Sequence, residues 1–186
     1  MSKATRSKGG IKHKRTGRII LVLGGAASGK SAIALRLAGM KKPKAFLATG
    51  QGLDDEMATR IARHQASRGS DWKTAEVPAE LATWFKQKGT AYQTIVLDCV
   101  TLWLSNLHEA GVSASAVARR VDELLAAMRR TNVLIVIVTN ELGLGVVPMN
   151  RAARGFRDLA GRVNQQIAAA ADEVHLVVAG ISLRLK

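Results

Sequence analysis

"LVLGGAASGKSAIAL", residues 21–35, is the most informative stretch of this chain of 186 residues. It contains the pattern G-x-x-x-x-G-K-[ST], which is formed by Gly24, Gly29, Lys30 and Ser31. A short apolar run precedes the pattern and an apolar helical period follows it, as a phosphate-binding loop requires. The stretch therefore predicts a buried strand, a glycine-rich loop and a helix, with loop N–H groups that surround the phosphates of a nucleotide.

The side chains of this loop have different expected roles. Lys30 is expected to reach the β- and γ-phosphates, and Ser31 to bind Mg²⁺. A second Mg²⁺ contact usually comes from an acid at the end of a neighbouring strand, and Asp98, at the end of the run TIVLD, has this position. An alternative role for Asp98 is to cap the helix after the strand. The predicted nucleotide-binding loop comprises Gly24, Gly25, Ala26, Ala27, Ser28, Gly29, Lys30 and Ser31.

Four more apolar runs have the length and composition of buried strands. With the first they cover residues 19–23, 44–50, 93–98, 132–140 and 173–180, and a terminal hairpin is expected to turn at Gly180. Helical patterns lie between them at residues 31–39, 54–68, 78–89, 113–130 and about 150–171. This alternation predicts an α/β fold of the P-loop NTPase type (RecA-like), with a mostly parallel sheet and helices on both faces. Residues 19–186 are expected to form a single domain.

Two of the helix predictions specify the positions of residues. Pro78 is expected in the first turn of its helix, where a missing N–H costs nothing. The last helix is expected to bury one apolar stripe, which consists of Phe156, Leu159, Val163 and Ile167.

Half of the formal net charge of +14 lies in the first 18 residues. Residues 1–18 contain seven Lys or Arg, no acid and no hydrophobic period, so we expect a basic, disordered tail. The tail is either a solvated extension or a segment that touches nucleic acid non-specifically. A dedicated nucleic-acid site is disfavoured, because aromatic residues, on which bases stack, make up 4% of the chain.

The expected location follows from the apolar residues and the cysteine. No apolar stretch reaches the ~20 residues that cross a bilayer, and the basic start lacks the apolar segment of a secretory signal. Cys99 is the single cysteine and falls in an apolar run, as expected of a buried thiol in a reducing compartment. A cytoplasmic protein is the expectation. No cluster of Cys and His has the spacing of a structural zinc site.

One histidine has an unusual setting within the predicted helix 54–68. Arg60, His64 and Arg68 recur at i, i+4 and i+8 and form one stripe. Two arginines disfavour the protonated imidazole, and an anion such as a triphosphate would explain why they flank it. Three roles are open from local chemistry: packing at the core boundary beside Ile61, contact with a phosphate, or nucleophilic attack on phosphorus.

Five segments carry a family resemblance: GGAASGKS (24–31), ATGQGLDDEMATRIARHQASR (48–68), DWKTAEVP (71–78), VLDCVTLWLSNL (96–107) and the chain from 138 to 186. On these segments the chain resembles the family of bifunctional adenosylcobinamide kinase/adenosylcobinamide-phosphate guanylyltransferases of cobalamin biosynthesis. The part from Thr139 to Gln165 is the most specific, because no general rule for P-loops predicts it. Residues 1–18 lie outside the resemblance.

The resemblance implies two reactions. ATP or GTP phosphorylates the aminopropanol hydroxyl of adenosylcobinamide. GTP then donates GMP to a histidine with release of pyrophosphate, and adenosylcobinamide phosphate takes the GMP to give adenosylcobinamide-GDP. His64 has the position of the histidine that carries GMP in this family, so the resemblance implies that it is the catalytic nucleophile. It also implies a homotrimer, and nucleotide contacts from Ala48, Thr49, Gly50, Gln65, Ala66, Ser67, Arg68, Glu76 and Asp98.

Some segments depart from the family pattern or have two interpretations. Ala27 stands where many members have arginine, which removes a side-chain contact with phosphate, and RGSDW replaces the usual arginine-proline before the tryptophan. The loop TNELGLGVVP is expected at the carboxyl edge of the sheet, where ligands bind in open α/β folds. There Asn140 and Glu141 either contact substrate or nucleotide, or form the turn. Phosphate contact and exposure to solvent are both open for Arg151, Arg154 and Arg157.

Overall fold

The structure is a computed structural model, and it describes residues 17–51 and 69–186. Within these ranges the chain forms seven strands and five α-helices. The strands are β1 (Arg18–Gly24), β2 (Lys44–Ala48), β3 (Trp72–Glu76), β4 (Thr94–Asp98), β5 (Leu134–Asn140), β6 (Glu173–Val178) and β7 (Ile181–Arg184). The helices are α1 (Lys30–Ala38), α2 (Leu81–Lys88), α3 (Val100–Glu109), α4 (Ala114–Arg130) and α5 (Arg151–Ala170), and a 3₁₀ turn covers Gly89–Ala91.

The described strands form one sheet in the order β3-β2-β4-β5-β1-β6-β7. All neighbouring pairs are parallel except β6 and β7, which are antiparallel and form the predicted terminal hairpin. β1 and β4 both pair with β5, and the register places Gly24 beside Asn140 and Asp98 beside Val138. The predicted α/β fold with a mostly parallel sheet is confirmed.

Both faces of the inner strands β1, β2, β4 and β5 are buried, which explains their continuous apolar runs. Along β1, Ile19, Leu21 and Leu23 belong to a core cluster that includes residues of α2, α3, α4 and α5. Ile20 and Val22 belong to a second cluster, which includes residues of α1. Successive side chains of a strand point to opposite faces, so a strand that is covered on both faces needs an apolar residue at each position. The described helices therefore lie on both faces, as predicted.

The two longest described helices begin close to their predicted starts. Ser113 and Asn150 cap α4 and α5 by accepting hydrogen bonds from N–H groups of the first turn. In α5, Phe156 packs at the edge of the core. The rest of its predicted stripe is buried, at Leu159, Val163 and Ile167.

Two elements lack the pattern on which a prediction from sequence depends. β3 is a partly exposed edge strand without a continuous apolar run, and α3 follows β4 directly, with no glycine or proline before it. The predicted place of Pro78 in a first helical turn is wrong, because α2 begins at Leu81. Instead, the carbonyl oxygens of Pro78 and Ala79 accept hydrogen bonds from side chains of α3.

Some predictions fall outside what the structure describes. Residues 1–16 of the predicted tail and the predicted helix 54–68 lie outside the described residues. Arg18, expected in the tail, begins β1 and pairs with Glu173 of β6. In the described ranges, no helix is both long enough and apolar enough to cross a membrane.

Candidate active site

The predicted phosphate-binding loop connects β1 to α1 over residues 24–31. Gly25, Ala26, Ala27 and Gly29 are exposed, so the loop backbone is open to a ligand. Ala27 and Gly29 have φ angles of 52° and 94°, and Gly29 has no side chain with which to cap α1. A helix N-terminus with uncapped N–H groups attracts anions. The described geometry of the loop is therefore compatible with phosphate binding.

A close contact at Gly24, and a positive φ with a tight contact at Gly29, favour glycine at both ends of the loop. A Cβ on Gly24 would collide with the carbonyl oxygen of Val177 and lie 2.7 Å from Oγ of Ser28. A Cβ on Gly29 would lie 3.2 Å from Cα of Gly180, in the turn between β6 and β7. The N–H of Gly180 also donates to the carbonyl oxygen of Ser28 at 2.8 Å. The hairpin turn thus supports the loop, a contact that no pattern in the sequence indicates.

Two polar side chains lie within the loop. Lys30 is 8% exposed, and its ammonium group donates to the carbonyl oxygen of Gly25 at 2.5 Å. Ser28 has the one buried side-chain oxygen or nitrogen, among the described residues, that lacks a hydrogen-bond partner. An unpaired buried hydroxyl is costly, and a phosphate oxygen would satisfy it. Ser28 is therefore an observation that fits an anionic ligand in this loop.

Ser31 and Asp98 meet beside the loop. The hydroxyl of Ser31 donates to Oδ2 of Asp98 at 2.8 Å. The cap position of α3 is Cys99, whose side chain makes no capping hydrogen bond, so the alternative role of Asp98 as a helix cap is not observed. Mg²⁺ binds to proteins through one or two carboxylates together with the phosphates of its substrate. A hydroxyl and a carboxylate next to a phosphate-binding loop fit that chemistry.

Three of the predicted contact residues share one level of the sheet. Ala48 at the end of β2 pairs with Glu76 at the end of β3 on one side and with Asp98 at the end of β4 on the other. The carboxyl ends of these parallel strands therefore bring the three residues to the edge where ligands bind in such folds. Glu76 is exposed there and Asp98 is half-buried.

Thr49 and Gly50 follow β2 at the same edge. Thr49 is fully buried, and its hydroxyl donates to the carbonyl oxygen of Cys99 at 2.7 Å and accepts from the N–H of Cys99 at 2.9 Å. Its carbonyl oxygen accepts from the side chain of Asn106 at 2.8 Å. The Thr49 side chain thus fastens the end of β2 to the end of β4. Gly50 is half-buried.

The remaining predicted site residues are not among those that the structure describes. His64, Gln65, Ala66, Ser67 and Arg68 lie outside the described residues. Their roles stay predictions. Of the other histidines, His108 is exposed near the end of α3 and His175 lies in β6, as expected.

A buried polar network holds the end of β5. Thr139 donates to Oδ1 of Asn164 at 2.9 Å, and the Asn164 amide donates to the carbonyl oxygen of Asn140 at 3.1 Å. The N–H of Asn140 donates to the hydroxyl of Thr101 at 2.8 Å. Neither Thr101 nor Asn164 was predicted from the sequence as part of the site. The available signal is that Asn164 directly follows Val163 on the apolar face of α5, where a polar residue needs partners.

The loop after β5 touches the phosphate-binding loop. The N–H of Glu141 donates to the carbonyl oxygen of Gly24 at 3.0 Å, and its carboxylate accepts from the N–H of Gly143 at 2.7 Å. Glu141 therefore takes part in forming the turn. Arg154 donates to the carbonyl oxygens of Pro148 and Met149, at 3.0 and 2.6 Å, and so holds the same loop.

The cysteine beside the site is not a nucleophile at neutral pH. Cys99 is 6% exposed, and burial together with the neighbouring Asp98 carboxylate raises the pKa of its thiol to about 11. Thiolate is the reactive form, so this thiol is nearly unreactive near pH 7.

In the described part of the chain, no group of three or more His, Cys, Asp or Glu side chains is arranged to hold a metal ion.

One comparison with solved structures concerns the fold. A KaiC-like protein from the archaeon Pyrococcus horikoshii is 11% identical to the chain, with a TM-score of 0.51, and the match covers 86% of this chain and 70% of that protein. The similarity, together with the strand order and the loop, confirms the predicted P-loop NTPase fold.

Curated relatives match over almost their whole length. The bifunctional adenosylcobalamin biosynthesis protein CobU of Salmonella typhimurium is 45% identical over 180 residues, which are 90% of this chain and 99% of that protein. CobU of Escherichia coli is 42% identical over 180 residues, with the same coverage. CobP of Pseudomonas aeruginosa, with the same description, is 40% identical over 167 residues, which are 89% of this chain and 96% of that protein. Residues 20–185 also match the family described as cobinamide kinase / cobinamide phosphate guanyltransferase. The chain therefore belongs to this family of bifunctional enzymes of adenosylcobalamin biosynthesis.

Proposed function

We propose that the chain phosphorylates the aminopropanol hydroxyl of adenosylcobinamide with ATP or GTP, and then transfers GMP from GTP to adenosylcobinamide phosphate through a covalent His64 intermediate. The products of the second reaction are adenosylcobinamide-GDP and pyrophosphate. The observation that supports the proposal most is the 2.8 Å hydrogen bond between Ser31 and Asp98, beside a loop with an unpaired buried hydroxyl. The family membership and the stripe of Arg60, His64 and Arg68 support the second reaction.

In the kinase reaction, the loop residues 24–31 hold the phosphates by their backbone N–H groups. Lys30 offsets negative charge on the β- and γ-phosphates, and the hydroxyl of Ser28 donates to a phosphate oxygen. Ser31 and Asp98 would hold Mg²⁺, which neutralises charge on the transferred phosphate when bound. Phosphoryl transfer depends mostly on such positioning and electrostatic stabilisation, so the loop residues need not form a covalent bond to the phosphate.

In the transfer reaction, the neutral imidazole of His64 attacks the α-phosphorus of GTP. A P–N bond forms, the P–O bond to the β-phosphate breaks, and pyrophosphate leaves with its electron pair. Arg60 and Arg68 offset the charge that builds on the α-phosphate. A phosphate oxygen of adenosylcobinamide phosphate then forms a P–O bond as the P–N bond breaks. The proposed contacts of the nucleotide with the chain also include Ala48, Thr49, Gly50, Gln65, Ala66, Ser67 and Glu76.

Labelling with GTP that carries ³²P at the α-phosphate tests the covalent step. We expect one labelled adduct, stable in alkali and broken in acid, as a P–N bond is, and we expect peptide mapping to locate it at His64. His64→Ala should abolish the label, while His108→Ala, an exposed histidine on α3, should keep it. Label that persists in His64→Ala contradicts the proposal. Complete absence of label in the native protein, with cobinamide phosphorylation intact, would support a small-molecule kinase without GMP transfer.

We also propose that the chain assembles as a homo-oligomer, with a trimer as the expected state. Several large exposed apolar side chains of the described structure form two groups: one in the loop after β5, with Leu144, Val146 and Met149, and one on the edge strand β7, with Ile181 and Leu183. Exposed apolar patches and unpaired strand edges are typical of interaction surfaces. Analytical ultracentrifugation of the native protein should give a mass close to three chains, and a monomer at micromolar concentration contradicts the proposal.

A further inference from the structure

A cavity of about 480 Å³ lies beside the phosphate-binding loop, on the opposite face of the sheet from α1. Leu23 of β1, the loop after β5 and one side of α5 line it. Its polar lining consists of Glu141, Arg157, Asp158, Arg162, Asn164 and Gln165. The roles proposed above for the loop and for His64 use none of these side chains. The cavity is therefore a concave site next to the phosphate-binding loop.

Within the part of the chain that the structure describes, the two arginines of this cavity have hydrogen-bond donors without a partner. The Arg157 side chain is 20% exposed, and its ion pair within the described structure joins Nε to Oδ1 of Asp158 at 3.9 Å, which is beyond hydrogen-bond distance. Arg162, five residues further along α5, is exposed and makes no hydrogen bond or ion pair with a described residue. A guanidinium group has five N–H donors, which match the oxygens of a phosphate. Both groups are thus suited to bind an anion.

The cavity is connected to the nucleotide site by the backbone. Leu23 directly precedes Gly24, and the N–H of Glu141 donates to the carbonyl oxygen of Gly24 at 3.0 Å. Asn164, which lines the cavity, bonds to both Thr139 and Asn140 and so fixes α5 against the end of β5. An anion in the cavity would therefore be held at a constant position relative to the phosphate-binding loop.

We propose that this cavity is the acceptor site of the enzyme and that it binds the phosphorylated aminopropanol arm of the corrinoid. The inference rests on the proposed function. Arg157 and Arg162 bind the phosphate of the arm, and the carboxamide of Gln165 and the carboxylate of Glu141 bond to amide groups of the adjoining corrinoid side chains. The nucleotide has its own phosphate cradle at residues 24–31, so a second pair of cations serves a second phosphate. The corrin ring stays outside because the cavity has room for the arm and not for the ring.

Equilibrium dialysis without nucleotide tests the site, because the corrinoid is coloured and can be measured directly. Arg162→Gln and Arg157→Gln should each weaken binding of cobinamide phosphate about tenfold to a hundredfold, as expected for the loss of a charge-assisted hydrogen bond. Binding of unphosphorylated cobinamide should change less than about threefold, since it lacks the group that the arginines bind. Arg162→Lys should keep part of the affinity. Arg119→Gln, an exposed arginine of α4, is the matched control.

The outcomes separate this site from the proposed His64 chemistry. Unchanged binding of cobinamide phosphate to Arg162→Gln, or an equal loss for both corrinoids, overturns the acceptor site. Loss of α-phosphate labelling by GTP in Arg162→Gln also overturns it, since the cavity would then hold nucleotide. If instead the native protein forms no GMP adduct and the arginine variants still lose cobinamide phosphate, the acceptor site stands and the covalent transfer fails. Circular dichroism of each variant checks the fold.

Discussion

Ser31 in the first turn of α1 donates a hydrogen bond of 2.8 Å to Asp98 at the end of β4, although β5 lies between β4 and the strand that leads into α1. The contact is possible because α1 packs against β5 and β4 on one face of the sheet. A hydroxyl and a carboxylate that are 67 residues apart in the sequence thus become adjacent. Their pairing is the relationship on which the proposed Mg²⁺ site depends.

Asp98→Asn should reduce kcat/KM of the kinase reaction by about a hundredfold or more, because it removes a carboxylate that would hold Mg²⁺, and the bound metal would stabilise the negative charge of the transition state by several kcal/mol. The amide has the same shape and can still accept the hydrogen bond of Ser31, so the melting temperature should stay within a few degrees. Steady-state kinetics at varied Mg²⁺ concentration gives the result. Glu123→Gln, at an exposed position of α4, serves as the control. Near-native activity of Asp98→Asn would exclude Asp98 from the reaction.

Ser28→Ala should weaken nucleotide binding without lowering the stability of the protein. The buried hydroxyl has no partner in the described structure, so its removal should leave the ligand-free protein equally stable or more stable. Without a donor to the phosphate, the Kd for GTP should rise about three- to tenfold. Isothermal calorimetry and thermal unfolding provide the two readouts. Lower stability with unchanged affinity would mean that the hydroxyl has a structural role.

Gly180→Val should destabilise the protein through the backbone of the hairpin turn. Gly180 has a φ of 78°, and a Cβ there meets nothing within 4 Å. A loss of stability would therefore come from backbone strain rather than from a steric clash. A β-branched residue in this region costs about 1–2 kcal/mol. Nucleotide binding should weaken too, since the N–H of Gly180 supports the loop at Ser28. Urea unfolding and GTP binding measure both effects, and Gly180→Asn, which tolerates this φ, should behave like the native protein.

Cys99 should resist alkylation in the folded protein. With a pKa of about 11 its thiolate is scarce at pH 8, whereas an ordinary thiol with a pKa of about 8.5 is substantially ionised there. Iodoacetamide at pH 8 should therefore react about a hundredfold or more slowly with the native chain than with the unfolded chain. The raised pKa favours the folded state below the ordinary value, and this contribution decreases as pH rises above it. Equal rates for native and unfolded protein would contradict the buried position.

Asp172 should contribute to stability at neutral pH and not in acid. Its Oδ2 accepts from the N–H of Ile19 at 2.7 Å and from Arg129 at 2.6 Å. Partial burial acts against ionisation, but these two donors outweigh it and hold the pKa of Asp172 below its ordinary value. A lowered pKa stabilises the fold above the ordinary value, and the contribution is lost as pH falls through the folded value.

Asp172→Asn should therefore cost about 1 kcal/mol of unfolding free energy at pH 7. The difference between native and variant protein should shrink as pH falls below about 4. Urea unfolding across pH 3 to 8 measures it, with Asp122→Asn, at an exposed position of α4, as the control. A difference that is independent of pH would show that the charge of Asp172 is not responsible.

Local sequence patterns were sufficient to predict much of the fold. The apolar runs predicted β1, β2, β4, β5 and β6 to within a few residues, because strands buried on both faces allow few polar side chains. β3 was not predicted, because its outer edge is exposed and its residues are mixed. The predicted tail over residues 1–18 is wrong at Arg18, which begins β1. The rest of the tail, the single domain over residues 19–186 and the cytoplasmic location remain predictions, and limited proteolysis with trypsin tests the first two.

The phosphate-binding loop, its place between a strand and a helix, and the family to which the chain belongs could all be predicted from the amino-acid sequence. These follow from residues that are close together, where spacing alone dictates geometry. Three contacts became visible only in the folded chain: Asp98 bonds to Ser31, the turn at Gly180 supports the loop, and α5 lines a cavity with Arg157 and Arg162 near Gly24. These contacts join segments that are far apart in the chain. Strand order and helix packing bring the segments together, and no local sequence pattern indicates that they meet.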